Sequence, residues 1–438
     1  MVMLSISTIL KYYKREDVQS AIVENARGRE VAIKFGDKGF GKRPEVLNYP
    51  RDVIELAKRG ASSFHISEEH WKNPLQLNPM LRKQELDELR NGWDLVLDID
   101  CHLLEYSRVA AELVMEVLRQ HNLKSVSCKF SGNKGFHLGV PNKALPTRIS
   151  NVDTNLLFPD AARRIAQYIK YTIKAQLSER VLEMEKGSFS AIMKKTGKSA
   201  SDITMYEKNK WGDKTAVLNT EAFLKIDTVL ISSRHLYRSA YSLHEKSGLA
   251  SVPVEQIASF SVDEAIPEKV EVGKIFLDDT GAERGEAKRL FTEAFDYQPV
   301  IETPKEFLNE KHAEIPQDKI PEAYFPPCMK NILVGLSDGR KRAILILLNF
   351  LNRAGWSYDD IQVLLTEWNK KNNPPLREVS LIGPLRYHKQ HKKKMPPPNC
   401  SATMYYKDIG VCKPDNLCSR IKNPINYSLR KVRYKADK

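Results

Sequence analysis

Polar and apolar side chains alternate along Asp94–Asp100 (DLVLDID), which is the two-residue period of a β-strand. That period puts Asp94, Val96, Asp98 and Asp100 on one face and Leu95, Leu97 and Ile99 on the other. A shorter run, Val31–Phe35, reads as another strand. After the aspartates the apolar spacing changes to threes and fours: Val109, Leu113, Val114, Val117 and Leu118 predict a helix over 104–118. Strand-like patterns return in Ser125–Phe130 and Phe136–Val140, on either side of a Gly-rich turn. This β-α-β-turn-β order fits an α/β or an α+β sheet. Asp160–Leu182 predicts a long amphipathic helix, and 223–232 a further strand. Between them, 186–214 is polar with Gly, Ser and many Lys, the composition of a surface insertion or lid. Thr292–Pro327 mixes six prolines with acidic residues and has almost no periodicity, so it reads as a linker. Beyond it, Arg342–Arg353 and Tyr358–Asn369 predict two helices joined at Gly355, and from Lys389 onward the chain reads as loop-like and basic. No internal repeat is visible.

Composition narrows the class. A chain of 438 residues with 42% apolar side chains has room for about three domains or subdomains, and it is too apolar to be mainly disordered. No stretch approaches the ~20 apolar residues of a membrane span, and the first residues lack the pattern of a secretory signal. The expectation is a soluble cytoplasmic protein with no membrane partner. The whole chain has 69 Lys and Arg against 55 Asp and Glu, a net charge of +14, but the surplus is localised. Residues 328–438 hold 22 basic against 8 acidic side chains, and residues 1–327 hold 47 of each. One module is therefore suited to a polyanion, or to solubility as a basic tail, while the other is neutral.

Cysteines divide the same way. Cys101 and Cys128 stand alone in the neutral part, whereas Cys328, Cys400, Cys412 and Cys418 fall in the basic part with the spacing C-x71-C-x11-C-x5-C. That spacing lacks the C-x2-C knuckles of structural zinc. A zinc site, an iron–sulfur cluster and unligated buried thiols all remain open.

Three segments offer chemistry. Asp98 and Asp100 stand about 7 Å apart on one strand face, near the strand end, where two carboxylates can share hard divalent cations such as magnesium. Ser131–His137 (SGNKGFH) is a turn in which Gly132 and Gly135 allow backbone N–H groups close to an anion, and Ser131, Lys134 and His137 add side-chain donors. Asp227, followed by Arg234–Gly248 (RHLYRSAYSLHEKSG), adds a carboxylate and phosphate-binding cations in a stretch that reads as too polar for a core strand. In it, His235 reads as a packing residue.

In this order and with these separations, the three segments resemble the catalytic small subunit of the archaeal and eukaryotic type DNA primases. The resemblance implies that Asp98, Asp100 and Asp227 hold two magnesium or manganese ions. It implies triphosphate contacts for Ser131, Lys134 and His137, and later nucleotide contacts for Arg238, His244 and Lys246. Glu30 matches an acidic residue near the metals, and Lys42–Arg43 a basic nucleotide contact. The C-terminal part resembles the iron–sulfur domain of the primase large subunit, through FPPCM (Phe325–Met329), Gly339–Arg340 before an apolar helix, PPNC (Pro397–Cys400) and KNPINY (Lys422–Tyr427). There it implies a four-iron four-sulfur cluster on Cys328, Cys400, Cys412 and Cys418. Cys101, Cys128, His102 and His121 do not make the small subunit's zinc pattern, so no zinc is predicted.

The resemblance implies an α+β primase catalytic core in 1–291, the proline-rich acidic linker in 292–327, and a basic, mostly α-helical iron–sulfur domain in 328–438. The implied activity is primer synthesis de novo on single-stranded DNA from nucleoside triphosphates, followed by extension of the primer–template duplex. Arg340, Lys341 and Arg342 are the candidates for the template or the initiating nucleotide. Because both modules share one chain, a monomer is expected. The rival expectations are a primer-extending repair polymerase of the same superfamily and a non-catalytic nucleic-acid-binding factor.

Overall fold

The computed structural model describes residues 4–36, 39–208, 214–226, 231–297, 318–391 and 395–436. The chain divides into two compact units, Met1–Ile301 and Glu302–Lys438.

Thirteen strands lie in the first unit: β1 (Arg29–Lys34), β2 (Ser63–Trp71), β3 (Arg90–Trp93), β4 (Leu95–Cys101), β5 (Ser127–Phe130), β6 (Phe136–Val140), β7 (Arg148–Ile149), β8 (Val152–Asp153), β9 (Thr204–Lys208), β10 (Lys214–Leu218), β11 (Leu224–Ile226), β12 (Leu236–Arg238) and β13 (Pro253–Val254). One sheet runs β1-β2-β12 with β3 also on β2, and the other runs β11-β4-β6-β5-β13; every pairing in both is antiparallel. Asp94 is the one residue between β3 and β4, the point at which the chain leaves the first sheet for the second. Helix Leu104–Gln120 buries Val109, Leu113, Val114, Val117 and Leu118 against β4, β6 and the long helix Asp160–Met184.

The expected strands and both amphipathic helices form within one or two residues of their sequence bounds, because each has a clear period. Three expectations are corrected. The polar stretch 186–214 is ordered in its described part: helices Phe189–Thr196 and Ala200–Ile203 bury Ile192 and Ile203, and the β9–β10 hairpin follows. Arg234–Gly248 does enter the core, since β12 pairs with β2 and Tyr237, Ala240, Tyr241 and Leu243 are buried. The basic end is largely helical, in Glu378–His391 and Pro424–Ala436.

The second unit packs helices Pro327–Leu333, Arg340–Arg353, Tyr358–Lys370 and Glu378–His391 around Phe325, Met329, Leu347, Phe350 and Trp368. The proline-rich stretch starts inside helix Lys288–Asp296 of the first unit, and Ile320 and Phe325 near its far end are buried in the second core. Among the described residues, no helix is long and apolar enough to cross a membrane.

Candidate active site

A cleft of about 280 Å³ opens between the two sheets of the first unit, lined by His65, Glu68, Tyr237 and Arg238 on one wall and Asp98, Asp100, Ser131 and His137 on the other. Strand alternation aims both aspartates into it: along β4, Ile99 and Cys101 are buried, Asp98 is half-buried and Asp100 is exposed. Asp94, expected on the same face, is instead buried at the crossover, paired with Arg29 and His70 and accepting the Asn142 N–H. β11 brings Lys225 opposite Asp100 and Ile226 opposite Ile99. Asp227, the next residue, lies outside the described residues.

Lys129, His137 and Asp98 form a row across the second sheet, direct partners on β5, β6 and β4. Burial, reinforced by the charge of Lys129, keeps the His137 imidazole below its ordinary pKa and therefore neutral. Its Nε2 is 3.4 Å from Asp98 Oδ1. Burial by itself would raise the Asp98 carboxyl, but the His137 contact outweighs it and holds the group ionised. The Asp100 carboxyl is pushed up, by burial first and by Asp98 second. His137 Nδ1 is buried with no hydrogen-bond partner.

Both glycines of the turn are dictated by contact. Gly132 has φ +94°, and a Cβ there would meet His244 Cβ at 2.9 Å; a Cβ on Gly135 would collide with the Ile99 carbonyl. Ser131 Oγ accepts the Gly135 N–H at 3.2 Å, so its own hydrogen remains to be given to a ligand. The turn is tied to the 243–250 segment because Ser247 Oγ donates to the Gly132 carbonyl and Ser247 N–H donates to His244 Nδ1 at 3.2 Å. That bond leaves His244 Nε2 as the protonated nitrogen. Burial, then the neighbouring Arg238, holds the His244 imidazole down to about 4. Lys134 and Lys246 are exposed at the cleft's edge, where their charges act on Asp100 and His244.

Other charges around the cleft have partners within the protein. Glu30 is fully buried between Arg43 and Arg234, with Nε donors of both at 2.9 Å. His235, read from sequence as a packing residue, lines the cleft with Nδ1 2.7 Å from Glu68 Oε1. Sequence reasoning missed His65, Glu68, Lys129 and Glu245. Three lie on strands whose burial on both faces erases the alternation that would have exposed them. Lys129 is wholly buried, donates to Ser251 Oγ at 2.8 Å, and lies over the rings of Tyr237 and Phe276.

In the second unit all four cysteines are free and partly buried. Burial first, and then the thiols of Cys400, Cys418 and Cys412, push the Cys328 thiol up to about 12. Cys400 is pushed up to about 11 by burial and by Cys418 and Cys412. The four sulfurs thus lie within electrostatic reach of one another. Among the described residues, no group of three or more His, Cys, Asp or Glu side chains is set to hold a metal ion. Arg340, Lys341 and Arg342 form the first turn of helix Arg340–Arg353; Lys341 is exposed, and Arg340 Nη1 donates to the Pro374 carbonyl.

Residues 97–256 match the DNA primase small subunit family, and 318–436 match the C-terminal domain of the eukaryotic and archaeal DNA primase large subunit. An uncharacterized protein of Methanocaldococcus jannaschii is 25% identical over 178 residues, 40% of this chain and 35% of that protein, so the chain spans about a third of that relative's length. The polymerase domain of Mycobacterium tuberculosis ligase D, solved in complex with DNA, is 15% identical with a TM-score of 0.36, covering 67% of this chain and 90% of that one. The chain belongs to the archaeal and eukaryotic primase superfamily. It unites in one polypeptide a region of the small-subunit family and a C-terminal region of the large-subunit family, parts that belong to separate chains in the two-subunit enzymes its motifs resemble.

Proposed function

We propose that the protein is a single-chain DNA primase that joins two nucleoside triphosphates on single-stranded DNA and then extends the product. The observation that carries this reading is the cleft itself, where two strand-borne carboxylates face the turn of Ser131–His137 and the donors Arg238 and His244. Asp98 and Asp100 provide hard-cation oxygen ligands, and Asp227, directly after the strand residue opposite Ile99, is the proposed third. Magnesium or manganese ions held there would stabilise the attacking 3′-oxygen and the leaving pyrophosphate.

The chain's own groups bind and orient. His244 offers Nε2–H, Ser131 its hydroxyl hydrogen, and Arg238 its remaining N–H groups to phosphate oxygens, with Lys134 and Lys246 adding positive charge at the rim. His137, kept neutral, holds Asp98 in its ionised form.

In the second unit, four thiols with no imidazole or carboxylate among them suit a four-iron four-sulfur cluster, proposed on Cys328, Cys400, Cys412 and Cys418. Initiation needs a second grip on a small, mobile nucleotide, and the basic second unit is assigned that task through Arg340, Lys341 and Arg342. The proposed enzyme works inside the cell as a monomer. Incubation with unprimed single-stranded template, triphosphates and magnesium or manganese tests the reading. Dinucleotide and longer products support it. Synthesis only from a supplied primer would make the protein an extending polymerase, and no synthesis at all would make it a binding factor.

A further inference from the structure

Glu245 stands between two of the proposed nucleotide contacts, His244 and Lys246, yet its side chain is only 11% exposed. Its carboxylate collects one donor from each of three strands in the first sheet. Arg238 of β12 reaches it twice, with Nη2 to Oε2 at 2.9 Å and Nη1 to Oε1 at 3.4 Å; Ser63 of β2 donates its hydroxyl; and Lys34 of β1 brings Nζ to 3.6 Å. Arg238 Nη1 also donates to the Leu243 carbonyl at 2.6 Å, so the guanidinium is held at two points along the same short segment. Two residues beyond Glu245, Ser247 binds the Gly132 carbonyl in the opposite wall and the ring of His244. The 243–250 segment therefore spans the cleft, fixed to the first sheet by Glu245 and to the turn of the second by Ser247.

We infer that Glu245 is a positioning residue for triphosphate binding: it clamps the Arg238 guanidinium against the cleft wall and anchors the segment that presents His244. The inference rests on the reading of this cleft as a nucleotide site. A carboxylate beside a polyphosphate is by charge alone unfavourable, so any benefit comes from geometry. A planar guanidinium gripped along one edge presents its remaining N–H groups in a fixed direction, and a pre-oriented donor loses less entropy on binding. Burial would raise the Glu245 carboxyl, but Arg238 and Ser63 hold it down to about 2, so the clamp is ionised throughout the neutral range.

The test uses the full chain with ATP and dATP as probes in the presence of magnesium. Glu245→Ala should weaken binding about tenfold, the worth of one charge-assisted hydrogen bond, and raise KM in step while kcat changes less than about twofold. Glu245→Gln, which keeps an acceptor for Ser63 and one Arg238 bond, should recover most of that, leaving about a threefold loss. A merely structural brace would lower kcat and raise KM together, and the Gln variant would show no separate effect on binding. Binding by Glu245→Ala as tight as wild type, or tighter, overturns the inference. If the Ala variant does not fold, Glu245→Gln decides alone, and wild-type affinity in it overturns the inference. Should the wild-type protein bind neither ATP nor dATP, the nucleotide reading of the cleft fails and the inference fails with it.

Discussion

His137 and Asp98 are direct partners across the β4–β6 ladder, with Nε2 3.4 Å from Oδ1, so the histidine closing the glycine turn is the nearest hydrogen-bond donor to the first candidate metal ligand. Replacing Asp98 by Asn keeps an acceptor for His137 and changes a side chain that is 45% exposed. Folding stability should therefore change by less than about 1 kcal/mol. Primer synthesis should fall by two orders of magnitude or more, on the scale seen when an enzyme's charge-stabilising group is removed. Thermal unfolding together with a primed and an unprimed synthesis assay checks both parts. Full activity in Asp98→Asn would remove the aspartate from the chemistry.

Asp94 lies four residues earlier and shares the sequence pattern, but its role is structural. Its carboxylate is the counter-charge of Arg29, which is only 8% exposed, and it also meets His70 Nε2 at 2.9 Å. Asp94→Asn leaves that guanidinium buried without a charge partner, which costs about 3–5 kcal/mol. Burial alone would raise the Asp94 carboxyl, but Arg29 and then His70 hold it well below the ordinary range. A carboxyl with a lowered folded pKa contributes stability that is fully present above the unfolded value of about 4 and lost as pH falls below it. Urea unfolding should show wild-type stability dropping between about pH 5 and pH 3, with a shallower slope in Asp94→Asn. Equal slopes would mean that the pair does not govern this acid limb.

The Gly-rich turn makes a sharper test of backbone packing. Gly135 follows Ser131–Lys134 and faces the Ile99 carbonyl, so a methyl group there would force β6 away from β4 between the two aspartates. Gly135→Ala should destabilise by about 1–3 kcal/mol and depress synthesis, because it moves the strand that presents Asp98 and Asp100. Gly187→Ala is the control, since a Cβ at that glycine would meet nothing within 4 Å and its positive φ of 76° carries only the local backbone cost. Equal synthesis by the two variants would show that the close approach is not needed.

Segments with a clean period were legible in the sequence, and their neighbours were not. Strand β4 and helix Leu104–Gln120 announce themselves because each buries one face only. Strand β2 (SFHISEEHW) is nearly all buried and has no alternation: Glu68 and Glu69 sit inside the fold, where Arg90 holds Glu69 at 2.7 Å and His235 holds Glu68. A buried ion pair is invisible to any rule that reads charge as surface. The same blindness hid Glu245, and it made Arg234–Gly248 look too polar for the core. The aspartates, the turn and the cysteines were readable because their spacing, rather than their burial, carries the signal.

The cysteine group predicts a metal content. Thiols pushed up to about 12 at Cys328 and about 11 at Cys400 are protonated at neutral pH, so a metal that binds them must displace protons. Protein purified without oxygen should contain about four iron and about four sulfide per chain, and Cys400→Ser should lose most of both and lower the stability of the second unit. Stoichiometric zinc with no sulfide would replace the cluster assignment by a single-ion site.

The net charge of +14 belongs to residues 328–438, and 1–327 carry equal numbers of acidic and basic side chains. If the second unit grips template phosphates, the salt dependence of single-stranded DNA binding is set there, at about 0.7 of a log unit per phosphate contact for single strands. Replacing Arg340 and Lys341 by Ala should lower the slope of log K against log salt by about 1.4, with a uniform loss of affinity across template sequences. Lys11 and Lys83, two exposed lysines of the first unit, provide the matched control, because removing them subtracts the same charge from the molecule. If net charge alone drew the template in, the two double variants would lower the slope equally. If the first turn of helix Arg340–Arg353 makes the contacts, only the Arg340 and Lys341 pair will, and an unchanged slope in that variant would move the template path away from this helix.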